Sequence, residues 1–361
     1  MPDTPVHAPV SPAMIVRQSS PANLEFPFHT LSERLTPPGQ FYVRSHFPVP
    51  ELNAEEWRLE VGGLVGQPLC LTLADLQAMT PHTVTVTLEC AGNSRSFLTP
   101  KVAGVAWDLG AVSTAEWTGV PLSAVLERAG LQAGAREVVL CGADRGCLDE
   151  PAKTPGIIAY ERSLPLNKAQ TDVLLAYAMN GEPLTPQHGY PVRAIVPGWY
   201  GMASVKWLTG ICVTDTPFQG FFQTLDYSYW ESVGSLSPQM TPLSVMQAKA
   251  QIARPAPGET VAAGKPYVIM GAAWTGEAKI IRVEISTDGG QTWAEAELTD
   301  PAEAHVWRRW RYLWHAPDPS GTVTLLARAT DSSGQTQPTK HTPERGKYMI
   351  TFPLPIAVMV E

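Results

Sequence analysis

The sequence predicts an α+β domain followed by an all-β sandwich, and three observations carry that prediction. The 361 residues include 34 Pro and 29 Gly, a composition that disfavours long helices and favours short strands and turns. Up to about residue 240, short strands and short helices interleave without a regular βαβ rhythm, so a doubly wound parallel sheet is excluded. From about residue 245 helix signals nearly vanish and strands recur at short intervals. At ~150 residues per domain the length gives two domains or three small ones.

Residues 1–40 are Pro-rich and aperiodic and read as an extended arm over the body. Residues 41–46 and 57–61 read as strands, the second closed by Gly62-Gly63, and residues 71–79 carry helical spacing after Thr72. Residues 83–88 alternate strictly between Thr and apolar side chains, the pattern of a half-buried strand, and run straight into Cys90-Ala91-Gly92-Asn93. Residues 120–129 form an amphipathic helix stopped by Gly130, and residues 137–141 a strand. Residues 172–179 fit a buried helix or strand ending at Asn180-Gly181. Residues 191–197 read as a strand with Pro at both ends. The second domain has expected strands at 248–252, 267–273, 280–286, 292–297, 307–314, 322–329 and 347–352, with Asp288-Gly289-Gly290 as a hairpin turn. That spacing is the pattern of an immunoglobulin-like β-sandwich, without paired cysteines because no Cys follows Cys212. The expected domains are therefore 1–40, 41–240 and 241–361.

Charge and cysteine content narrow the function. Lys and Arg number 26 against 34 Asp and Glu, a net charge of −8. This argues against a nucleic-acid partner and leaves room for a local basic pocket. The five cysteines (Cys70, Cys90, Cys141, Cys147, Cys212) include no CxxC pair, so neither a disulfide framework nor a zinc ribbon is indicated. No GxGxxG or GxxxxGKS occurs. The first 20 residues lack an apolar core and an Arg-Arg pair, and no apolar run reaches the ~20 residues of a membrane span. A cytoplasmic protein is expected, or a periplasmic one if a leader has been removed.

Cys90 sits at a strand end among small, turn-forming residues. It can be a buried core thiol, a nucleophile that needs a nearby His, or a thiolate ligand to a metal. Arg95 would favour the thiolate, but position alone leaves all three open.

The stretch Leu88-Glu89-Cys90-Ala91-Gly92-Asn93-Ser94-Arg95, with Gly104-Val105-Ala106-Trp107-Asp108 and Trp117-Thr118-Gly119-Val120-Pro121-Leu122 after it, resembles the molybdenum-binding segment of the sulfite oxidase family. Residues 41–50, 179–193 and 197–208 agree in order, and residues 282–290 resemble the family's dimerisation domain. The resemblance covers roughly residues 25–355. It implies one molybdenum per chain, held by the dithiolene of one molybdopterin and by a thiolate matched to Cys90. Phe41, Tyr42, Val43, Arg44, His46, Asp144, His188, Arg193, Ser204, Val205 and Lys206 fall on the family's cofactor-contact segments. Arg193 and Lys206 suit a phosphate, and Asp144 suits pterin N–H groups.

For the substrate, the resemblance implies a small oxyanion held by Arg44 and Arg95, beside Trp107 and Tyr227. A third arginine is expected from the sandwich, and strand alternation favours Arg309 or Arg311 over Arg308. The implied reaction is oxidation of sulfite to sulfate by oxygen-atom transfer. Electrons would pass to an external acceptor, a cytochrome or dioxygen. No CxxCH motif is present and no additional N-terminal segment long enough for a cytochrome b5 domain is seen, so any haem is expected on a separate partner. A C2 homodimer through the second domain is also implied.

Ser94 departs from the family, which often has a second arginine there. Other readings are a nitrate-reducing relative, whose family members usually carry a lysine in place of the sandwich arginine, another oxyanion or sulfur-compound enzyme such as a methionine-sulfoxide reductase, and a metal-free binding protein on the same fold. The arginine run at 308–311 leans toward sulfite.

Overall fold

The computed structural model describes residues 14–149, 153–232, 234, 237–318 and 320–361. Two five-stranded sheets build the first half. One has the order Glu182–Pro183, Leu174–Met179, Val112–Pro121, His82–Glu89, with Arg193–Ile195 also paired to Leu174–Met179. The other has the order Leu69–Leu71, Leu59–Gly63, Leu208–Thr214, Glu137–Gly146, Ile158–Pro165, and its Leu59–Gly63 and Leu208–Thr214 strands run parallel. Helices among the described residues are short. Leu73–Gln77 starts at a capping box, in which the Thr72 hydroxyl accepts from the Asp75 N–H while the Asp75 carboxylate accepts from the Thr72 N–H. Leu122–Ala129 buries Leu122, Val125, Leu126 and Ala129, the i, i+3, i+4, i+7 face of an amphipathic helix, and stops at Gly130. It begins two residues later than the sequence suggests because Val120 and Pro121 still belong to the preceding strand.

Leu174–Met179 is a strand, pinned on one side by Val112–Pro121, and Asn180 and Gly181, both at positive φ, close its turn into Glu182–Pro183. In residues 41–46 only Val43–Arg44 is a strand, and it pairs with Asn23–Glu25, which pairs with Ile15–Gln18. The expected arm is thus woven into a three-stranded sheet; its first 13 residues lie outside the described residues. Ile158–Pro165 and Leu208–Thr214 had no counterpart in the sequence reading.

The second half is two sheets. Lys249–Arg254, Pro266–Trp274, Arg308–His315 and Glu297–Leu298 form one, and Thr260–Val261, Ile356–Val360, Gly321–Asp331, Ile280–Ser286 and Ala294–Glu295 the other. The expected strand at 292–297 splits around buried Ala296, and its two pieces join different sheets. Residues 347–352 are not a strand. Met349 is left-handed, with φ 55°, and its N–H bonds the Ala91 carbonyl of the first half at 2.9 Å instead of a ladder neighbour.

His82–Glu89 lies at a sheet edge, and the second half covers it. The Thr87 N–H donates to the His305 carbonyl at 2.8 Å, and the Trp307 N–H donates to the Thr87 hydroxyl at 2.7 Å. Phe28, from the N-terminal segment, wedges edge-on against Trp274 and Trp307, each 6.4 Å away between ring centres. Trp307 also donates its indole N–H to the Arg34 carbonyl. Phe28 is buried, so Phe28→Ala should cost about 3–5 kcal/mol. The urea unfolding midpoint of the full chain reads this, and an unchanged midpoint would remove the segment from the core.

Candidate active site

The cysteine turn is fixed on three sides. The Cys90 N–H donates to the Ala111 carbonyl at 2.8 Å, and the Asn93 N–H closes the turn onto the Cys90 carbonyl at 2.8 Å. The Asn93 side chain donates to Glu89 at 3.1 Å and accepts from the Ala111 N–H at 3.1 Å. Ser94 then takes a left-handed conformation, φ 72°, and leads into the helical turn Arg95–Phe97. The result is a nearly buried thiol at the end of a strand. Burial pushes the Cys90 thiol up, against the pull of the Arg44 and Arg95 guanidinium groups.

That thiol lines a cavity together with Phe41, Tyr42, Arg44, His46, Asp144, His188, Arg193, Ser204, Lys206 and Tyr227. The Arg193 guanidinium donates to the His188 and Ser204 carbonyls, both at 3.0 Å, and lies over Trp117. Lys206 donates to the Gln187 carbonyl at 2.8 Å and the Ser45 hydroxyl at 3.1 Å. Neither cation bonds a carboxylate among the described residues. Burial brings Arg193 down to about 10 and carries Lys206 well below its usual range, where the Arg193 charge lowers it further. Burial likewise drops His188 to about 3, so its imidazole is neutral. Asp144 is raised to about 6 by burial, against the Lys206 charge, and its buried Oδ1 has no hydrogen-bond partner among the described residues.

A second space shares Cys90, Arg44, His46 and Tyr227 with the first and adds Arg95, Lys347, Tyr348 and Asp226. Tyr227 hydrogen-bonds His46 Nε2 through its hydroxyl at 2.8 Å, and burial holds that imidazole neutral, reinforced by Arg44. Arg44 donates to Asn23 at 3.2 Å and to the Ser45 carbonyl. The Arg95 guanidinium donates to the Lys347 carbonyl at 3.0 Å and the Val105 carbonyl at 2.9 Å. It fits between two glycines: a Cβ at Gly92 would stand 2.1 Å from Arg95 Nη2, and one at Gly104 would stand 2.7 Å from Nη1. Tyr348 stacks on Tyr227 at 5.0 Å and donates its hydroxyl to Asp226, which Lys347 meets at 3.1 Å.

Five expected site residues fall elsewhere. Trp107 is fully buried and packs in a cluster with Cys90 and Phe41, lining neither space. Val43 and Val205 face hydrophobic clusters. Arg309 and Arg311 do not reach the cavity. Arg309 pairs with Asp300 at 2.8 Å and donates to the Ser32 carbonyl, and Arg311 pairs with its cross-strand neighbour Glu297 at 2.8 Å. The sandwich instead supplies Lys347 and Tyr348, from the loop read as a strand. The sequence reading also missed Tyr160, stacked 4.9 Å from His46, and Asp226.

The donor set fits a molybdopterin. Two buried cations without carboxylate partners suit a phosphate, an unpartnered carboxylate oxygen suits pterin N–H groups, and a buried thiol flanked by guanidinium groups suits a thiolate ligand.

Comparison with known proteins agrees. Residues 46–222 match the oxidoreductase molybdopterin binding domain, and residues 241–346 match the Mo-co oxidoreductase dimerisation domain. Mitochondrial sulfite oxidase of Rattus norvegicus is 39% identical over 346 residues, and the match takes in 91% of this chain and 62% of the rat protein. Sulfite oxidase of Arabidopsis thaliana is 35% identical over 362 residues, 91% of this chain and 89% of the plant protein. Nitrate reductase [NADH] 2 of Phaseolus vulgaris is 32% identical over 88% of this chain, but the match takes in 39% of that protein. The crystal structure of the sulfane dehydrogenase SoxCD from Paracoccus pantotrophus superposes with a TM-score of 0.79 at 30% identity, covering 96% of this chain and 84% of that one. The chain therefore spans about 62% of the length of its rat relative and 89% of the plant one, and carries both domains with the cysteine turn inside the first: it belongs to the sulfite oxidase family of molybdopterin-binding oxidoreductases.

Proposed function

We propose that this protein oxidises sulfite to sulfate at a molybdopterin-bound molybdenum held by Cys90, and passes the electrons to a separate acceptor. The observation that carries the reading is the position of the Cys90 thiol: it lines both the cationic cavity and the arginine-lined outer space. Arg193, Lys206, His188, Ser204 and Asp144 would hold the pterin and its phosphate. Bound there, the metal centre would supply oxygen-atom transfer and take up two electrons.

The chain's own residues do the rest. Arg44 and Arg95 attract a small dianion and orient it, a positioning role that needs guanidinium groups already fixed, as the two carbonyl bonds fix Arg95. The Tyr227 hydroxyl, fixed by its hydrogen bond to His46 Nε2, would hydrogen-bond the leaving sulfate. Lys347 adds a third positive charge at the mouth, tempered by Asp226. Val105, Leu148 and Phe221 give the outer space its apolar wall.

Nitrate is the second reading, favoured by one observation: the sandwich contributes a lysine where a third arginine was expected. The lean toward sulfite from the run at 308–311 is lost with Arg309 and Arg311. The sulfite reading rests instead on the sulfite oxidases, which are the more similar relatives and match over more of their own length than the nitrate reductase does. The domain boundary near residue 240, an immunoglobulin-type topology for the sandwich and a homodimer through it belong to the same proposal, supported by the dimerisation-domain match.

Molybdenum-loaded protein should reduce ferricyanide in the presence of sulfite and leave nitrate untouched in a reduced-dye assay. Turnover of nitrate alone would reject the substrate, and elemental analysis without about one molybdenum per chain would reject the enzyme reading. Cys90→Ser should abolish turnover while the circular dichroism spectrum is preserved; full activity would exclude Cys90 as the ligand. Arg95→Gln should raise the sulfite KM about tenfold or more. Gly104→Ala, which crowds the same guanidinium, should move KM in the same direction, and an unchanged KM in both would take Arg95 out of the pocket.

A further inference from the structure

Lys249 belongs to the second half of the chain, where it opens the strand Lys249–Arg254, yet its ammonium is bonded in the first half. The side chain is 1% exposed. Nζ stands 3.0 Å from Glu89 Oε1, 3.0 Å from the Ser94 hydroxyl and 3.4 Å from the Asn93 carbonyl. These acceptors flank Cys90 on both sides along the chain. Two more side chains of the same sheet reach the same turn. The Gln251 amide donates to the Ser94 hydroxyl at 2.8 Å, and the Trp274 indole N–H donates to Glu89 Oε2 at 2.9 Å.

An apolar contact would join two domains as well or better, because desolvating an ion pair offsets most of its attraction. What the pair adds is direction. Three charge-assisted bonds from one ammonium fix the positions of three groups relative to each other. Two of the donors converge on Ser94, a residue held at a φ that side chains other than glycine rarely take. The carboxylate they secure belongs to the residue immediately before the thiol.

We propose that Lys249 is a positioning residue for the Cys90 thiolate, so that the β-sandwich sets where the sulfur stands in the cavity and the pocket is complete only when the two domains are docked. This rests on reading Cys90 as the molybdenum ligand.

The test uses full-length, molybdenum-loaded Lys249→Met, Ser94→Ala and Gln251→Ala beside the parent protein. Molybdenum content, the sulfur-to-molybdenum charge-transfer absorption, the paramagnetic resonance signal after partial reduction with dithionite, and kcat and KM for sulfite are measured. Lys249→Met is expected to shift the absorption band and the resonance signal at full molybdenum content, and to lower kcat about tenfold with KM within about twofold of the parent. Ser94→Ala and Gln251→Ala should shift the spectra the same way by less. Spectra identical to the parent in Lys249→Met overturn the proposal. Should that variant fail to fold, parent-like spectra in both single-bond variants overturn it equally. The spectra need no substrate, so a parent that binds molybdenum but does not turn over sulfite loses the substrate reading and keeps this one. A parent without molybdenum loses both.

Discussion

The buried pair of Glu89 and Lys249 is the constraint around which the site is built. Taking two charges out of water costs several kcal/mol per ion, and a pair recovers that cost only when every remaining donor and acceptor is satisfied. Here it is. Glu89 accepts from Lys249, Asn93 and the Trp274 indole, and Lys249 is shared with Ser94 and the Asn93 carbonyl. Losing one partner would leave the other charged and unpaired in the interior, at a cost of about 3–5 kcal/mol. The sequence therefore ties three things together that composition alone keeps apart: the end of an alternating strand, the cysteine turn and the first strand of the sandwich.

The chain carries a net −8, yet Arg44, Arg95, Arg193 and Lys206 line the two spaces that meet at Cys90. An acidic exterior gives no long-range attraction to an anion, so selectivity has to be generated at short range, by guanidinium groups whose direction is already set. The two spaces around Cys90 divide the task. The inner cavity has cations without carboxylate partners and suits a permanently bound anionic group. In the outer one Asp226 tempers Lys347, which suits an anion that must leave again.

Much of this was legible in the sequence, and what was not has physical reasons. Cys90, Arg44, Arg193 and Lys206 could be placed because each lies on a short stretch that resembles the family, whereas Tyr227 lies on none of those stretches and was implied by the resemblance alone; the alternation of residues 83–88 gives the strand that delivers the thiol. Arg309 and Arg311 were misassigned because alternation tells which side chains share a face but not what that face meets. Asp300 and Glu297, 9 and 14 residues upstream of Arg309 and Arg311, were the available signal, since acids on the neighbouring segment can take up both guanidinium groups. Lys347 and Tyr348 were hidden by a strand-like run. Gly346 before it and Pro353 and Pro355 after it argue for a loop, and a loop is what reaches across the domain boundary. Long-range partners such as Glu89 and Lys249, 160 residues apart, leave no mark in a local pattern at all.

Arg95 shows how the two halves share one function. One of its carbonyl partners, Val105, belongs to the first half, and the other, Lys347, belongs to the loop that leaves the sandwich. The loop is itself pinned two residues later, where the Met349 N–H meets the Ala91 carbonyl beside the thiol. A guanidinium held from both sides cannot keep its direction if the domains part, and neither can the turn that Lys249 grips. The sulfur and the anion-binding group thus depend on the same interface. A change there would move both at once, whereas a change within either domain alone would move them separately, which makes the docking surface, rather than either core, the place where the geometry of the pocket is decided.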